Sequence, residues 1–359
     1  MDAPALRAEF PVCEALAYLN SGTCGPLPRA AVEALTRAAA DAAARGRAHD
    51  YYEAAFETWS RLRAAYAGML GADPADVALT TSTSEGVIRA IASLDLGPGD
   101  EVLLAEREHP GLFGPVAAAR ARFGFDLRVV PAATLPDEVG EATRLVACSH
   151  VAWTTGETAP SFSGIPAEVA VLLDGAQGAG AVPVDLGSLG CAFYAASGQK
   201  WMCGPVGTGM LWVSPAWREQ LSPPHTAYAN LEDVALGIDA LPWPDARAFD
   251  TPSLSPELAA AALAAHDVLA AHGWPEVQAR ARDLAAALAR DLASAGHEVT
   301  PRGETTLVSW VSPDPEAQAA ALSDAGVVVR AFPGLPWLRA SVGAWNDERD
   351  LERLLAALR

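Results

Sequence analysis

The chain has 359 residues, of which 51% are apolar and 19% charged. That is long enough for two domains with ample core and fits a soluble globular protein. Its formal net charge of −19 argues against nucleic acid or anionic membranes as partners, since neither attracts an acidic surface.

The first stretch, to Ala17, reads as a short arm; its MDAPALRAEF lacks the basic and apolar regions of a signal peptide. Tyr18 to Pro28, YLNSGTCGPLP, is a turn-rich loop leading into a helix with prolines near its start. Amphipathic helices are expected over about Pro28 to Arg45 and Asp50 to Leu70, the second with Tyr52, Phe56, Trp59, Leu62 and Tyr66 at helical spacing as a packing stripe. The strand Val77 to Thr81 runs into Ser82, Thr83, Ser84, Glu85 and Gly86 at a helix start. Hydroxyls and free amides there make either a phosphate site or a plain helix cap. The turn LGPGD, the strand EVLLA, the loop residues Glu108, His109 and Pro110, a helix and the strand DLRVV continue an alternation that argues for a parallel sheet. A lone loop histidine such as His109 ordinarily reads as a solvated side chain. Arg144 to His150 is another strand, and Trp153 beyond it is either a pocket wall or a packing aromatic.

EVAVLLDGAQGAG, Glu168 to Gly180, is an apolar strand that stops on Asp174. Ligands of open α/β sheets bind at the carboxyl ends of strands, so Asp174 is placed to meet one. The Gly-rich tail lacks G-x-G-x-x-G spacing, and Pro183 interrupts the helix that a dinucleotide fingerprint would need. The buried run CAFYAA then leads into Ser197 to Gly209, SGQKWMCGPVGTG, the stretch that the rest of the chain serves. Lys200 follows a strand end, where its amine is either held from water with a lowered pKa, and so nucleophilic, or snorkels outward. A lysine for a Schiff base and an acid for a pyridinium nitrogen are the pair that a pyridoxal phosphate site needs.

The strand TGMLWV closes the first domain, and Ser222 to Thr251, rich in Pro, Asn and Asp, reads as a long crossing loop. Two Ala-rich helices, about Pro256 to His272 and Trp274 to Ala295, lead to strands near His297 to Thr300 and Thr306 to Val311, a helix, and VVVR ending at Arg330. Arg339 lies on a strand where its guanidinium can clamp a carboxylate with two parallel hydrogen bonds, or serve a structural ion pair. Asn346 is expected to cap a last helix with Leu351, Leu354, Leu355 and Leu358 on one face. Five cysteines, Cys13, Cys24, Cys148, Cys191 and Cys203, show no CxxC pair and no zinc spacing, so no metal is expected. With no apolar run long enough to span a bilayer, the expected location is the cytoplasm.

From Tyr18 to Leu358 these motifs resemble, in order, the class V aminotransferase family of fold-type I pyridoxal phosphate enzymes, which includes cysteine desulfurases, selenocysteine lyases, isopenicillin N epimerase and the ergothioneine carbon–sulfur lyase. The resemblance implies an α/β large domain over 18–245, its mainly parallel sheet sandwiched by helices. Residues 1–17 and 246–359 would form a small α+β domain. It implies pyridoxal 5'-phosphate bound by Thr83, Ser84, Ser197 and Gln199 at the phosphate, His109 stacked on the ring, Asp174 at the ring nitrogen, Gln177 at the ring oxygen and Lys200 as the covalent anchor. Ser253 would reach the phosphate in the neighbouring subunit of a homodimer with shared sites. Arg339 would hold the carboxylate of an amino-acid substrate, and Trp153 and Thr23 would border it, with Lys200, Asp174 and His109 catalytic. Three departures stand out: Trp153 replaces the desulfurases' Asn, Gln199 replaces the usual His, and no cysteine lies between Arg330 and Arg339. The expected activity is therefore a lyase that cleaves a cysteine S-conjugate or sulfoxide to a thiol product, pyruvate and ammonia. An aminotransferase, an epimerase-like racemase and a non-catalytic cofactor-binding protein are the alternatives.

Overall fold

A computed structural model describes residues 1–223 and 226–359. Seven strands form one sheet in the order Val77–Thr80, Gly209–Val213, Phe193–Ser197, Ala170–Asp174, Thr143–Ser149, Glu101–Ala105 and Asp126–Val130. All pair in parallel except Gly209–Val213, which runs antiparallel to both neighbours. Most of these strands are continuous apolar runs because both faces of the sheet are covered. Successive side chains point to opposite faces. Leu103, Val146, Val171 and Leu173 join one core with Leu62 and Tyr66 of the helix His49–Leu70 and Ala262 of the helix Pro256–Ala270. Val102, Leu104, Leu145, Ala147 and Leu172 join the other with Val87 and Ile91 of the helix Thr83–Ala92 and Leu112 of the helix Pro110–Phe123. This directionality brings the carboxyl ends of the parallel strands, and the loops that follow them, to one edge of the sheet.

The C-terminal part builds a three-stranded antiparallel sheet from Arg330–Ala331, Trp337–Ser341 and Leu307–Val311. Its core gathers Val308, Trp310, Leu338 and Ala340 against Leu288 and Leu292 of the helix Trp274–Ser294 and Leu351 and Leu354 of the helix Glu348–Ala357.

Several local expectations are corrected. The N-terminal stretch is no loose arm: it forms helices Ala3–Ala8 and Val12–Ala15 and buries Leu6, Phe10 and Cys13 against Trp345. VVVR is not one strand, because Val327–Val328 pairs with Ala17–Tyr18 whereas Arg330 pairs with Arg339. Residues 297–300 contribute only an isolated bridge, Val299 to Trp310. Asp347, not Asn346, caps the last helix, through a capping box with Asp350. Asn346 instead accepts from the Gly343 N–H and donates to Asp350 and to the Tyr18 carbonyl, tying the helix to the chain's start. The expected loop 222–251 carries short 3-10 turns at Tyr228–Asn230, Val234–Asp239 and Ala246–Phe249, and its residues 224 and 225 lie outside the described residues. No helix among the described residues is long and apolar enough to cross a membrane.

Candidate active site

Five segments deliver side chains to the carboxyl edge of the large sheet: the turn after Val77–Thr80, the loops after Glu101–Ala105 and Thr143–Ser149, the end of Ala170–Asp174, and the loop after Phe193–Ser197. Together with Gly22, Thr23, Arg330 and Arg339 they line a cavity of about 220 Å³. Thr23, Thr83, Ser84, His109, Trp153, Asp174, Gln177, Ser197, Gln199, Lys200 and Arg339 all line it. Ser253 does not: it is exposed on a turn away from the cavity. Cys24 is half-buried and does not line the cavity; its carbonyl accepts from the Tyr18 hydroxyl.

Lys200 lies three residues beyond its strand, half-buried. Burial of the amine lowers its pKa to about 8, against the pull of Asp174, with Arg339 pushing the same way as burial. Lysine is the side chain that gives up its proton when desolvated, which makes it a nucleophile and a base near neutral pH. Backbone packing holds its loop: the Gly25 N–H donates to the Gln199 carbonyl at 2.7 Å, and a Cβ on Gly25 would stand 2.0 Å from the Lys200 carbonyl oxygen. Only glycine permits that approach.

Asp174 is 5% exposed. Burial raises its pKa, opposed by Lys200 and by the Ala176 N–H, which donates to Oδ1 at 2.9 Å. A buried carboxyl with a single hydrogen bond is suited to meet a cationic N–H from the cavity. Gln177 is committed at both ends: Nε2 donates to the Gly22 carbonyl at 2.8 Å and Oε1 accepts from the Trp201 indole at 3.0 Å. One amide hydrogen remains for a guest.

At the opposite end, Ser82 caps the helix Thr83–Ala92 by accepting from the Glu85 N–H. The hydroxyls of Thr83 and Ser197 meet at 2.6 Å, and the Thr83 N–H donates to Ser197 Oγ at 3.0 Å. The cap expected of this string falls to Ser82, while Thr83, Ser84 and Ser197 line the cavity. Gln199 Oε1 is buried without a partner. The end lined by Ser82, Thr83, Ser84, Ser197 and Gln199 is neutral, so the helix N-terminus supplies its positive potential.

His109 Nδ1 accepts from the Gly111 N–H at 2.9 Å, capping the helix Pro110–Phe123. Burial, followed by Lys200, Arg330 and Arg339, lowers its pKa to about 4. The ring is therefore neutral at pH 7 with its proton on Nε2. Trp153 stands edge-on to it at 4.9 Å and to Phe332 at 5.0 Å, and its indole donates to the Arg107 carbonyl at 2.9 Å. Arg107 adopts φ 60, and Cys203, just after Lys200, φ 53. Such left-handed backbone costs a non-glycine residue about 1–2 kcal/mol, and here it occurs in the loops that follow the strands Glu101–Ala105 and Phe193–Ser197.

Arg339 is 1% exposed, with Nη1 on the Trp153 carbonyl and Nε without a partner. Burial and Arg330 lower its pKa to about 9. Arg330 donates to Thr23 Oγ1 at 3.3 Å, and its Nε is also unpartnered. Neither guanidinium meets a carboxylate among the described residues. The sequence reading missed Arg330 as a site residue. Its signal, an arginine two residues before the turn 332–336 that pairs with Arg339 three residues after it, becomes visible only once the hairpin register is known.

A neutral hydroxyl-lined helix N-terminus, a buried acid, a lysine with a lowered pKa and paired arginines that meet no carboxylate among the described residues are chemically matched to pyridoxal phosphate joined to an amino acid.

The family described as aminotransferase class-V matches residues 17–354. A probable cysteine desulfurase of Pseudomonas aeruginosa is 31% identical over 408 residues, covering 98% of this chain and 96% of the relative. Isopenicillin N epimerase of Streptomyces clavuligerus is 32% identical over 226 residues, 59% of this chain and little more than half, 56%, of the epimerase. A structure of a lysine-to-alanine mutant of C-DES, with glycine covalently linked to the PLP cofactor, superposes with a TM-score of 0.92 at 28% identity, covering 98% of each chain. The complex of the cystine C–S lyase C-DES with its reaction product cysteine persulfide gives 0.90 at 29% identity, covering 97% of this chain and 98% of that one.

Proposed function

The chain belongs to the aminotransferase class-V family, and from that membership we propose that it is a pyridoxal 5'-phosphate-dependent carbon–sulfur lyase acting on a cysteine S-conjugate or sulfoxide. The observation that carries the reading is the convergence of Lys200, Asp174 and Arg339 on one small cavity. The likeness to a cystine C–S lyase supports the branch, and so does the hairpin turn FPGLP, which offers no thiol to receive sulfur.

When bound, the cofactor withdraws electrons from the α-carbon of the attached amino acid. Thr83, Ser84, Ser197 and Gln199 would hold its phosphate, Gln177 its ring oxygen and Asp174 the proton on its ring nitrogen. His109 would border the ring as a neutral imidazole. Arg339 fixes the substrate carboxylate, bordered by Thr23, with Arg330 beside it. Lys200 would anchor the cofactor and, as a neutral amine, is suited to take the α-proton. The β-substituent departs with the carbon–sulfur bonding pair and gains a proton. One water hydrolyses the three-carbon remainder, so each thioether conjugate yields a thiol, pyruvate and ammonium. Ser253, exposed, is offered to the phosphate of a second subunit in a homodimer. The division into a large domain over 18–245 and a small one from 1–17 and 246–359 belongs to the same reading.

Absorbance spectra of the purified protein with cysteine S-conjugates and sulfoxides, with pyruvate assayed in parallel, test the proposal. A visible cofactor band that shifts with one conjugate, and pyruvate in step with thiol, is the expected result. Inverted α-carbon chirality without pyruvate would replace it with epimerisation, the reading that the likeness to isopenicillin N epimerase favours. Light scattering that reports only monomer at micromolar concentration would remove the dimer.

A further inference from the structure

A second cavity, of about 470 Å³, adjoins the first, and among the residues lining both only Trp153 is shared. The indole is held from three directions, by the Arg107 carbonyl, His109 and Phe332. The carbonyl that holds it belongs to a residue in the left-handed region, and backbone strain of this kind persists only where the surroundings impose it. A residue so pinned that lines two cavities is placed to act as a wall between them.

The first cavity, at about 220 Å³, is below the size of ordinary ligand pockets, which begin near ~300 Å³. Cofactor and amino acid must share it, which leaves little room for a long β-substituent. The second cavity is lined by Glu106, Glu108 and Glu157 against one cation, Arg107, which itself pairs with Glu106 at 3.1 Å. Its character is acidic, the reverse of the arginine-lined end of the first.

We propose that Trp153 is a specificity-determining partition that limits the length of the substrate side chain, and that its removal opens the acidic cavity to long, positively charged side chains. This rests on the reading that the first cavity binds an amino acid on pyridoxal phosphate. The indole is the barrier, whereas the contact to Arg339 is made by the Trp153 backbone carbonyl and survives truncation of the side chain.

The test is equilibrium binding to the holoenzyme, read from the shift of the cofactor absorbance, with alanine, 2-aminooctanoate, 2-aminoadipate and homolysine as probes. Each newly buried methylene strengthens binding about fourfold. Trp153→Ala is expected to improve 2-aminooctanoate relative to alanine at least tenfold over the wild type, and homolysine more than 2-aminoadipate. Trp153→Phe, which keeps a ring in place, should retain the wild-type ratios, and Trp153→Leu should fall between, a milder change should the alanine variant fail to fold. Unchanged ratios in the alanine and leucine variants, with alanine still bound, overturn the partition and leave the functional reading standing. A spectrum that responds to no amino acid in either protein overturns both.

Discussion

Arg330 and Arg339 lie directly opposite one another on adjoining antiparallel strands, and no carboxylate of the described residues stands between them. Like charges placed opposite in a sheet are destabilising, so the pair is best understood as a receptor for anionic groups brought by a ligand.

Arg339→Ala is expected to weaken amino-acid binding by about a hundredfold or more, the effect of removing one partner of a desolvated charge pair. Arg330→Ala should weaken it less, because that guanidinium is only half-buried. It should also raise the thermal stability of the unliganded protein by up to about 1 kcal/mol through relief of repulsion. Spectral titration and melting curves check the two effects separately.

Lys200 must be a neutral amine to attack an aldehyde. With its pKa lowered to about 8, the rate at which the apoprotein takes up pyridoxal phosphate should rise about tenfold per pH unit below that value and level off above it. Stopped-flow absorbance follows the rise, and Lys200→Ala should trap no covalent cofactor after borohydride reduction.

Glu108 is buried and accepts from both the N–H and the hydroxyl of Ser149. Burial raises its pKa to about 7, against those hydrogen bonds. A raised carboxyl contributes stability that is complete below its unfolded pKa, near about 4.3, and is lost as pH rises through the folded value. Glu108→Gln mimics the protonated form, so its stability relative to the wild type should grow between pH 5 and 8 by an amount on the order of 2–3 kcal/mol. Urea titrations at the two pH values measure it, and a constant difference would refute the assignment.

Gly25→Ala places a methyl group 2.0 Å from the Lys200 carbonyl oxygen. Overpacking of that kind costs about 1–3 kcal/mol. Because the displaced atom belongs to the lysine loop, cofactor uptake should slow along with the loss in melting temperature. A variant that melts lower but takes up cofactor at the wild-type rate would show that the Gly25 contact is only structural.

Lys200 and Asp174 were legible because Asp174 ends an apolar run and Lys200 closely follows one: a charged residue at such a place needs a reason, and strand ends are where α/β sheets bind ligands. Asn346 was misread because an equally good cap, Asp347, follows it, and sequence alone does not rank the two. The N-terminal stretch read as a short arm because its helices are too short to be stable alone. They persist because Leu6 and Phe10 find Trp345, more than three hundred residues away in sequence.

Composition, strand periodicity and the order of turn residues by themselves determined the layered α/β plan and the candidates along one sheet edge, because those signals are local and repeat every few residues. Tertiary structure alone decided that Arg330 faces Arg339, that His109 is buried with Nδ1 accepting from the Gly111 N–H, and that Trp153 lines two cavities. Each depends on strand register, burial or the approach of distant segments, and none of these leaves a periodic mark on the chain.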